Sequence, residues 1–339
     1  MKAGQPTFAE ARATQAENLG AAITHVTGAV SALAGRLVMP GPIFVGIGAS
    51  LAAACTPVWS LRSRGIHSWR LGAGDQPLPF PHTEHPVVGV SQSGRSAETL
   101  AVLQSVEAPL RYAVVNSAPS PIADAATTVI GLGNRPDSYA STVGYTATVA
   151  ALGILADAWD GGVIDPGWQD LAALFADVER RLTGQVGELA AVFDGAASAD
   201  FIGAGPSVGS AEAAALLFRE AVRLPSAGLG TRQYLHGSME SAGNSVHVLF
   251  GGAREAEVAA MLAGAGHRAI MVTGDPRLDG SPDVALVRLP RRPEAQQAIM
   301  EVLTMQILVA AVAERRAVNI EDFVFHNSDT KVPASESAA

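Results

Sequence analysis

Phe201-Ile202-Gly203-Ala204-Gly205-Pro206-Ser207 repeats, residue class for residue class, the earlier stretch Phe44-Val45-Gly46-Ile47-Gly48-Ala49-Ser50. Each copy is a short apolar run, then glycines that allow a tight turn, then a serine at the mouth of an Ala-rich, helix-prone segment. That is the opening of a βα unit. Meeting it twice in one chain points to an internal duplication, with an α/β fold in each half.

Reading outward, short β-branched runs follow the first copy at Val87-Val88-Gly89-Val90, Arg111-Tyr112-Ala113-Val114-Val115-Asn116 and Thr128-Val129-Ile130-Gly131-Leu132. After the second copy they recur at Val246-His247-Val248-Leu249-Phe250, Ala269-Ile270-Met271-Val272-Thr273 and Val284-Ala285-Leu286-Val287-Arg288-Leu289. Helix-length segments separate them, so each half is predicted to be a parallel, Rossmann-like doubly wound sheet covered on both faces. The expected organisation is a leading helix within residues 1–39, a first domain over 40–160 and a helical connection over 161–194. A second domain follows over 195–333, closed by a long apolar helix from about Glu294 to Glu314, and then a disordered tail over 334–339.

The bulk properties agree with two packed domains. The chain has 339 residues and is 48% hydrophobic but only 5% aromatic, which suits helices packed closely on sheets. Its formal charge of −9 leaves no basic footprint for nucleic-acid phosphates. Cys55, the one cysteine, excludes an intramolecular disulfide and a multi-cysteine zinc site, and its Ala-rich surroundings read as buried helix. The start of the chain lacks the apolar core of a signal peptide, and no uninterrupted apolar run reaches about 18 residues. A cytoplasmic protein without a membrane partner is expected.

The chemistry concentrates in Gly89-Val90-Ser91-Gln92-Ser93-Gly94-Arg95-Ser96-Ala97-Glu98-Thr99. After a buried strand, hydroxyls and an amide cluster around a glycine where a helix must begin. Outward-pointing N–H groups and serine hydroxyls there make a cradle for a phosphate without a lysine; a serine-rich turn and N-cap is the plainer reading of the same residues. His82-Thr83-Glu84-His85 lies between Pro81 and Pro86 without the helical spacing of a metalloprotease motif, so no metal site is expected. His247 and His267 read as packed or solvated residues.

Ser91-Gln92-Ser93-Gly94 with Ser96 and Thr99, following the Gly46-Ile47-Gly48-Ala49-Ser50 turn, resembles the Ser-x-Ser-Gly-x-[Ser/Thr] signature of sugar-isomerase (SIS) domains. The resemblance implies that Ser50, Ser91, Gln92, Ser93 and Ser96 hold a sugar phosphate. Tyr139-Ala140-Ser141-Thr142-Val143, after the polar loop Asn134-Arg135-Pro136-Asp137, is similar to the [Val/Ala]-Ala-Ser-Thr-Lys segment of the isomerase domain of glucosamine-6-phosphate synthase. It implies a sugar contact for Ser141, while Val143 stands where that family has lysine. In the second copy Leu249-Phe250-Gly251-Gly252-Ala253-Arg254-Glu255 replaces the phosphate loop, so one phosphate site per chain is expected.

The second copy instead carries Phe218-Arg219-Glu220-Ala221-Val222 and Gln233-Tyr234-Leu235-His236-Gly237. Read alone, Glu220 fits a surface ion pair, for instance with Arg223. The pair resembles the glutamate and His-Gly of the synthase isomerase domain and of related deaminases and deglycases, although Gln233 stands where the synthases have glutamate. By that resemblance Glu220 moves a proton between sugar C1 and C2, and His236 opens the ring, reaching in from a neighbouring subunit. A carboxylate raised by burial and an imidazole titrating near neutrality are the groups such chemistry needs. The tail Asp322-Phe323-Val324-Phe325-His326-Asn327-Ser328-Asp329-Thr330-Lys331-Val332 resembles the lysine-bearing end of that family, which offers Lys331 and, less directly, His326.

No glutaminase half precedes the resemblance, so glutamine-dependent amination is not expected. What the resemblance implies is a homodimeric, cofactor-independent deaminase/isomerase acting on a hexosamine 6-phosphate such as glucosamine 6-phosphate. A fructosamine-6-phosphate deglycase or an aldose–ketose isomerase uses the same pair, and a non-catalytic sugar-phosphate sensor is the alternative from another class. A sensor binds without turnover.

Overall fold

The computed structural model describes residues 4–334 except Met39 and His326. The tail from residue 335 and the candidate His326 therefore lie outside the described residues. Two compact units emerge: residues 4–172 together with 324–334, and residues 173–323.

In the first unit, α1 (Phe8–Ala13) and α2 (Gln15–Leu33) precede β1 (Ile43–Gly46), α3 (Ala49–Ala53), α4 (Cys55–Ser63) and β2 (Trp69–Gly72). There follow β3 (Val87–Ser91), α5 (Ala97–Ser105), β4 (Arg111–Val115), α6 (Pro121–Ala125), β5 (Thr128–Gly131) and α7 (Val143–Ala158). The strands form one parallel sheet in the order β2-β1-β3-β4-β5. β1 and β3 are buried along their whole length, as strands covered on both faces must be, and so they read as continuous apolar runs. One core layer packs Val45, Val87, Ala113 and Val115 with Leu100, Leu103 and Ile122 from α5 and α6. On α7 nearly every residue is buried, and its polar Thr146 accepts a hydrogen bond from the buried Gln15 amide of α2 (3.2 Å).

The second unit takes up the chain in the first turn of α8 (Leu171–Thr183) and continues through α9 (Val186–Ala191), β6 (Ser198–Gly203), α10 (Ser207–Val222) and β7 (Ser226–Gly230). It ends with α11 (Thr231–Leu235), β8 (Ser245–Phe250), α12 (Ala253–Gly264), β9 (Arg268–Thr273), β10 (Val284–Arg288) and α13 (Glu294–Arg315). Its parallel sheet has the order β10-β9-β8-β6-β7. Counted from its own first strand, that is the connectivity of the first sheet, so the duplication holds at the level of topology. By length and composition α13 could cross a membrane, but most of it is buried against α10 and α9, as a core helix.

Three expectations change. The leading helix is two helices, because at Thr14 the backbone leaves the helix while its hydroxyl bonds back to the Glu10 and Ala11 carbonyls (3.4 and 3.5 Å). Cys55 begins α4 half-buried rather than sitting inside a buried helix. The segment after Val324, expected with the second domain, packs with the first unit. There Val332 N–H donates to Arg95 O (3.0 Å), and Arg95 Nε returns a bond to Val332 O (2.7 Å). Two edge strands absent from the sequence reading, β2 and β7, are short and less buried, with too little apolar alternation to stand out.

Candidate active site

The first-unit site forms where the strand order reverses between β1 and β3, the crevice in which open α/β sheets bind ligands. Gly48 turns the chain at φ +57° after β1 and delivers Ser50 to the first turn of α3. After β3, Gly94 adopts φ +64°, and a Cβ there would lie 2.0 Å from the Ser120 hydroxyl, so no other residue makes this turn without displacing Ser120. The loop is pinned by its backbone: Gln92 O accepts from Asn116 and Ser117 N–H (both 3.1 Å), and Gly94 O from Ile122 N–H (3.0 Å).

Within that frame the hydroxyls are free of the structural duty a plain N-cap would give them. Ser96 occupies the N-cap position of α5 but makes no side-chain capping bond. Its Oγ lies 3.0 Å from Ser91 Oγ across the loop. The tail lies along the same loop, with Ala97 N–H donating to Thr330 O (3.2 Å) and an antiparallel bridge between Ser96 and Lys331. Lys331, an exposed residue, is thereby anchored opposite Ser96.

Ser50, Gln92 and Ser141 line one pocket of about 90 Å³, together with Asp137, Ser138 and Tyr145. That is below the ~300 Å³ of a small-molecule site. Asp137 was not singled out by its sequence. Buried, it accepts from Ser141 Oγ (2.7 Å) on one oxygen and from Thr142 N–H (2.8 Å) and Oγ1 (2.7 Å) on the other. Burial pushes its carboxyl up, against the lowering effect of those hydrogen bonds. Because it acts on α7 from outside the usual N-cap spacing, no local pattern announces it. Ser141 is therefore oriented by Asp137 rather than serving as the N-cap, which is Thr142. Asn116 secures the loop behind it, donating to Arg135 O (2.7 Å) and accepting from Arg135 N–H (2.8 Å).

In the second unit Glu220 lies half-buried in the last turn of α10 and His236 is exposed at the C-cap of α11. Gly228 of β7 lets α10 approach so closely that a Cβ would lie 2.5 Å from Glu212 Cα. Tyr234 anchors α11: fully buried, its hydroxyl lies 3.1 Å from Nδ1 of the equally buried His247, whose Nε2 is 3.0 Å from Ser245 Oγ. Burial pushes the Tyr234 phenol up, with the Asp200 charge adding to the shift. His247 is thus a packed, hydrogen-bonded histidine. α10 reaches the beginning of β7, where Arg219 Nε donates to Ser226 O (2.6 Å), and α11 starts directly after its end. Glu220 thus belongs to the helix that precedes the five-residue strand β7, and His236 to the short helix that follows it.

This architecture, two parallel five-stranded sheets with repeated connectivity, is the tandem SIS fold. The C-terminal domain of glucosamine-fructose-6-phosphate aminotransferase from Francisella tularensis superposes with a TM-score of 0.78 at 15% identity, covering 94% of this chain and 99% of that one. Tagatose-6-phosphate ketose/aldose isomerase from Escherichia coli gives 0.75 at 16% identity over 95% and 97%. Glucosamine-6-phosphate deaminase from Thermotoga maritima gives 0.68 at 17% over 89% and 96%. No protein-family model matches the chain, and no curated protein sequence matches it.

Proposed function

We propose that this chain is a sugar-phosphate isomerase, and specifically a deaminase/isomerase of a hexosamine 6-phosphate such as glucosamine 6-phosphate. The observation that carries the reading is the loop at the sheet's reversal point, where Ser91 and Ser96 face each other without capping and Lys331 is held alongside. Hydroxyls and an ammonium suit a phosphate ester. Ser50, Gln92 and Ser141 then face the sugar. The tandem SIS structures it resembles include a ketose/aldose isomerase and a deaminase, which supports proton transfer at C1 and C2.

In this mechanism His236 gives a proton to the ring oxygen and takes the O1 proton as the sugar opens to its C1 aldehyde. Glu220 removes the C2 proton while His236 returns the proton to O1, leaving an enolamine, and Glu220 then delivers its proton to C1, leaving an imine at C2. Water adds to C2 and ammonia departs, so amino sugar and water become ketose and ammonia. On the resemblance by which the histidine reaches in from a neighbouring subunit, the proposal includes a homodimer in which each site combines groups from two chains.

The test is a screen of hexose, hexosamine and fructosamine 6-phosphates for ammonia or amine release and for aldose–ketose exchange, with Glu220→Gln as control. Ammonia release from a hexosamine 6-phosphate, reduced about 10²–10⁴-fold by Glu220→Gln, is the expected result. Binding without turnover of any of these compounds would leave a sensor and reject the enzyme.

A further inference from the structure

The first-unit pocket carries a carboxylate with no counter-charge. Asp137 is only 8% exposed, yet it lines the pocket. Its side-chain hydrogen bonds come from neutral donors, the Ser141 hydroxyl and the Thr142 N–H and hydroxyl. Burial raises the carboxyl against those bonds and one from Gly144 N–H, and no cation acts on it among the described residues. No Lys, Arg or His lines the pocket either. A buried carboxylate left without a partner charge is costly. Gly144 is what admits it: a Cβ there would lie 2.2 Å from Asp137 Oδ2 and 2.9 Å from Gln92 Cγ.

The direction of the hydroxyl protons sets what this wall accepts. An ionised carboxyl only accepts hydrogen bonds, so the proton of the half-buried Ser141 is committed to Asp137 Oδ2 (2.7 Å). What Ser141 Oγ offers a ligand is therefore a lone pair, with the carboxylate charge behind it. The other hydroxyls in the wall agree: Ser138 Oγ donates to Ala140 O (2.7 Å) and Thr148 Oγ1 to Gly144 O (2.6 Å). None of the three turns its proton toward the pocket.

A phosphate, which needs donors, does not suit such a wall. A positively charged group that brings its own protons does. An ammonium beside Ser141 would also hold the Asp137 carboxyl ionised, against the effect of burial.

We propose that Ser141, backed by Asp137, forms an ammonium subsite that selects an amino sugar phosphate over the same sugar bearing a hydroxyl. Ser141 touches the amine. Asp137 is a positioning residue that acts through Ser141, fixing its proton and supplying the counter-charge. The inference rests on the sugar-phosphate reading of this site and adds to it the residues that read the nitrogen.

The test uses two reduced sugars without a C1 carbonyl, which bind without turnover: 2-amino-2-deoxyglucitol 6-phosphate and glucitol 6-phosphate, differing only in amine against hydroxyl at C2. In isothermal titrations of the full chain at neutral pH and constant ionic strength, the amine compound should bind about 10- to 100-fold more tightly, as a hydrogen bond to a charged group allows. In Asp137→Asn the amide must keep its oxygen toward Thr142 N–H, so its nitrogen faces Ser141 and releases the serine proton toward the ligand. The amine preference should then be lost while glucitol 6-phosphate binds within a few-fold of wild type. Ser141→Ala should lose the preference with Asp137 in place, and Ser141→Thr, which keeps the hydroxyl, should retain it. If Asp137→Asn fails to fold, the two Ser141 variants decide alone. Equal binding of both compounds by the wild type, or a preference that survives in Asp137→Asn or Ser141→Ala, overturns the subsite and leaves the sugar-phosphate reading standing. Binding of neither compound overturns both.

Discussion

Glu301 on α13 is a carboxyl enclosed in the core of the second unit. Its side chain is fully enclosed, with one oxygen accepting from Ser207 Oγ (2.9 Å) and the other without a partner, and Ser210 Oγ nearby also lacks one. Burial pushes the carboxyl up from 4.5 to about 7, against the lowering influence of Ser210 and Ser207. Between those values the folded chain keeps a proton that the unfolded chain releases. Stability from this residue is therefore complete below pH 4.5, falls as pH rises, and is gone above pH 7. At ~1.4 kcal/mol per pH unit the swing is about 3 kcal/mol. Glu301→Gln, nearly isosteric and neutral throughout, should match the wild type below about pH 4 and be more stable by about 3 kcal/mol at pH 8. Urea denaturation followed by far-UV circular dichroism measures this, and hydrogen exchange in α10 and α13 locates it. Tryptophan fluorescence does not serve, because Trp59, Trp69, Trp159 and Trp168 all lie in the other unit. A wild-type-to-variant difference that stays constant between pH 5 and pH 8 refutes the buried-carboxyl reasoning.

Asp137→Ala leaves the Ser141 and Thr142 donors facing a void, so a loss of about 2–4 kcal/mol of stability and a raised KM for sugar phosphates are expected; thermal melts with steady-state kinetics check both, and Asp137→Asn should recover part of each. Ser93→Ala should raise KM for phosphorylated sugars, with inorganic phosphate competing in the wild type; equal rates on sugars and their 6-phosphates would remove the cradle. Mixing an inactive phosphate-loop variant with His236→Ala should restore part of the activity through hybrid sites. Demonstrated heterodimers without recovery, or full activity in a monomer, would exclude sharing.

The duplication, the parallel sheets and the serine-rich loop after β3 were legible in the chain itself. They rest on local rules: two copies of an apolar run, a glycine turn and a serine, and strands apolar enough to be covered on both faces. That Ser96 pairs with Ser91 and not with the helix was not legible, since Ser91, Ser93 and Ser96 read equally as an N-cap. Contacts between distant parts of the chain left no local pattern. Asp137 works through hydrogen bonds to residues beyond capping distance, and the tail joins the loop through backbone bonds that are blind to side-chain identity. The edge strands β2 and β7 owe their place to a neighbour's hydrogen bonds rather than to their own composition. A second-unit pocket was hidden for the same reason. Ser207 lies far in sequence from Arg291 and Gln297, and only the folding of β6 and β10 into one sheet, with α10 packed on α13, brings them to a single crevice.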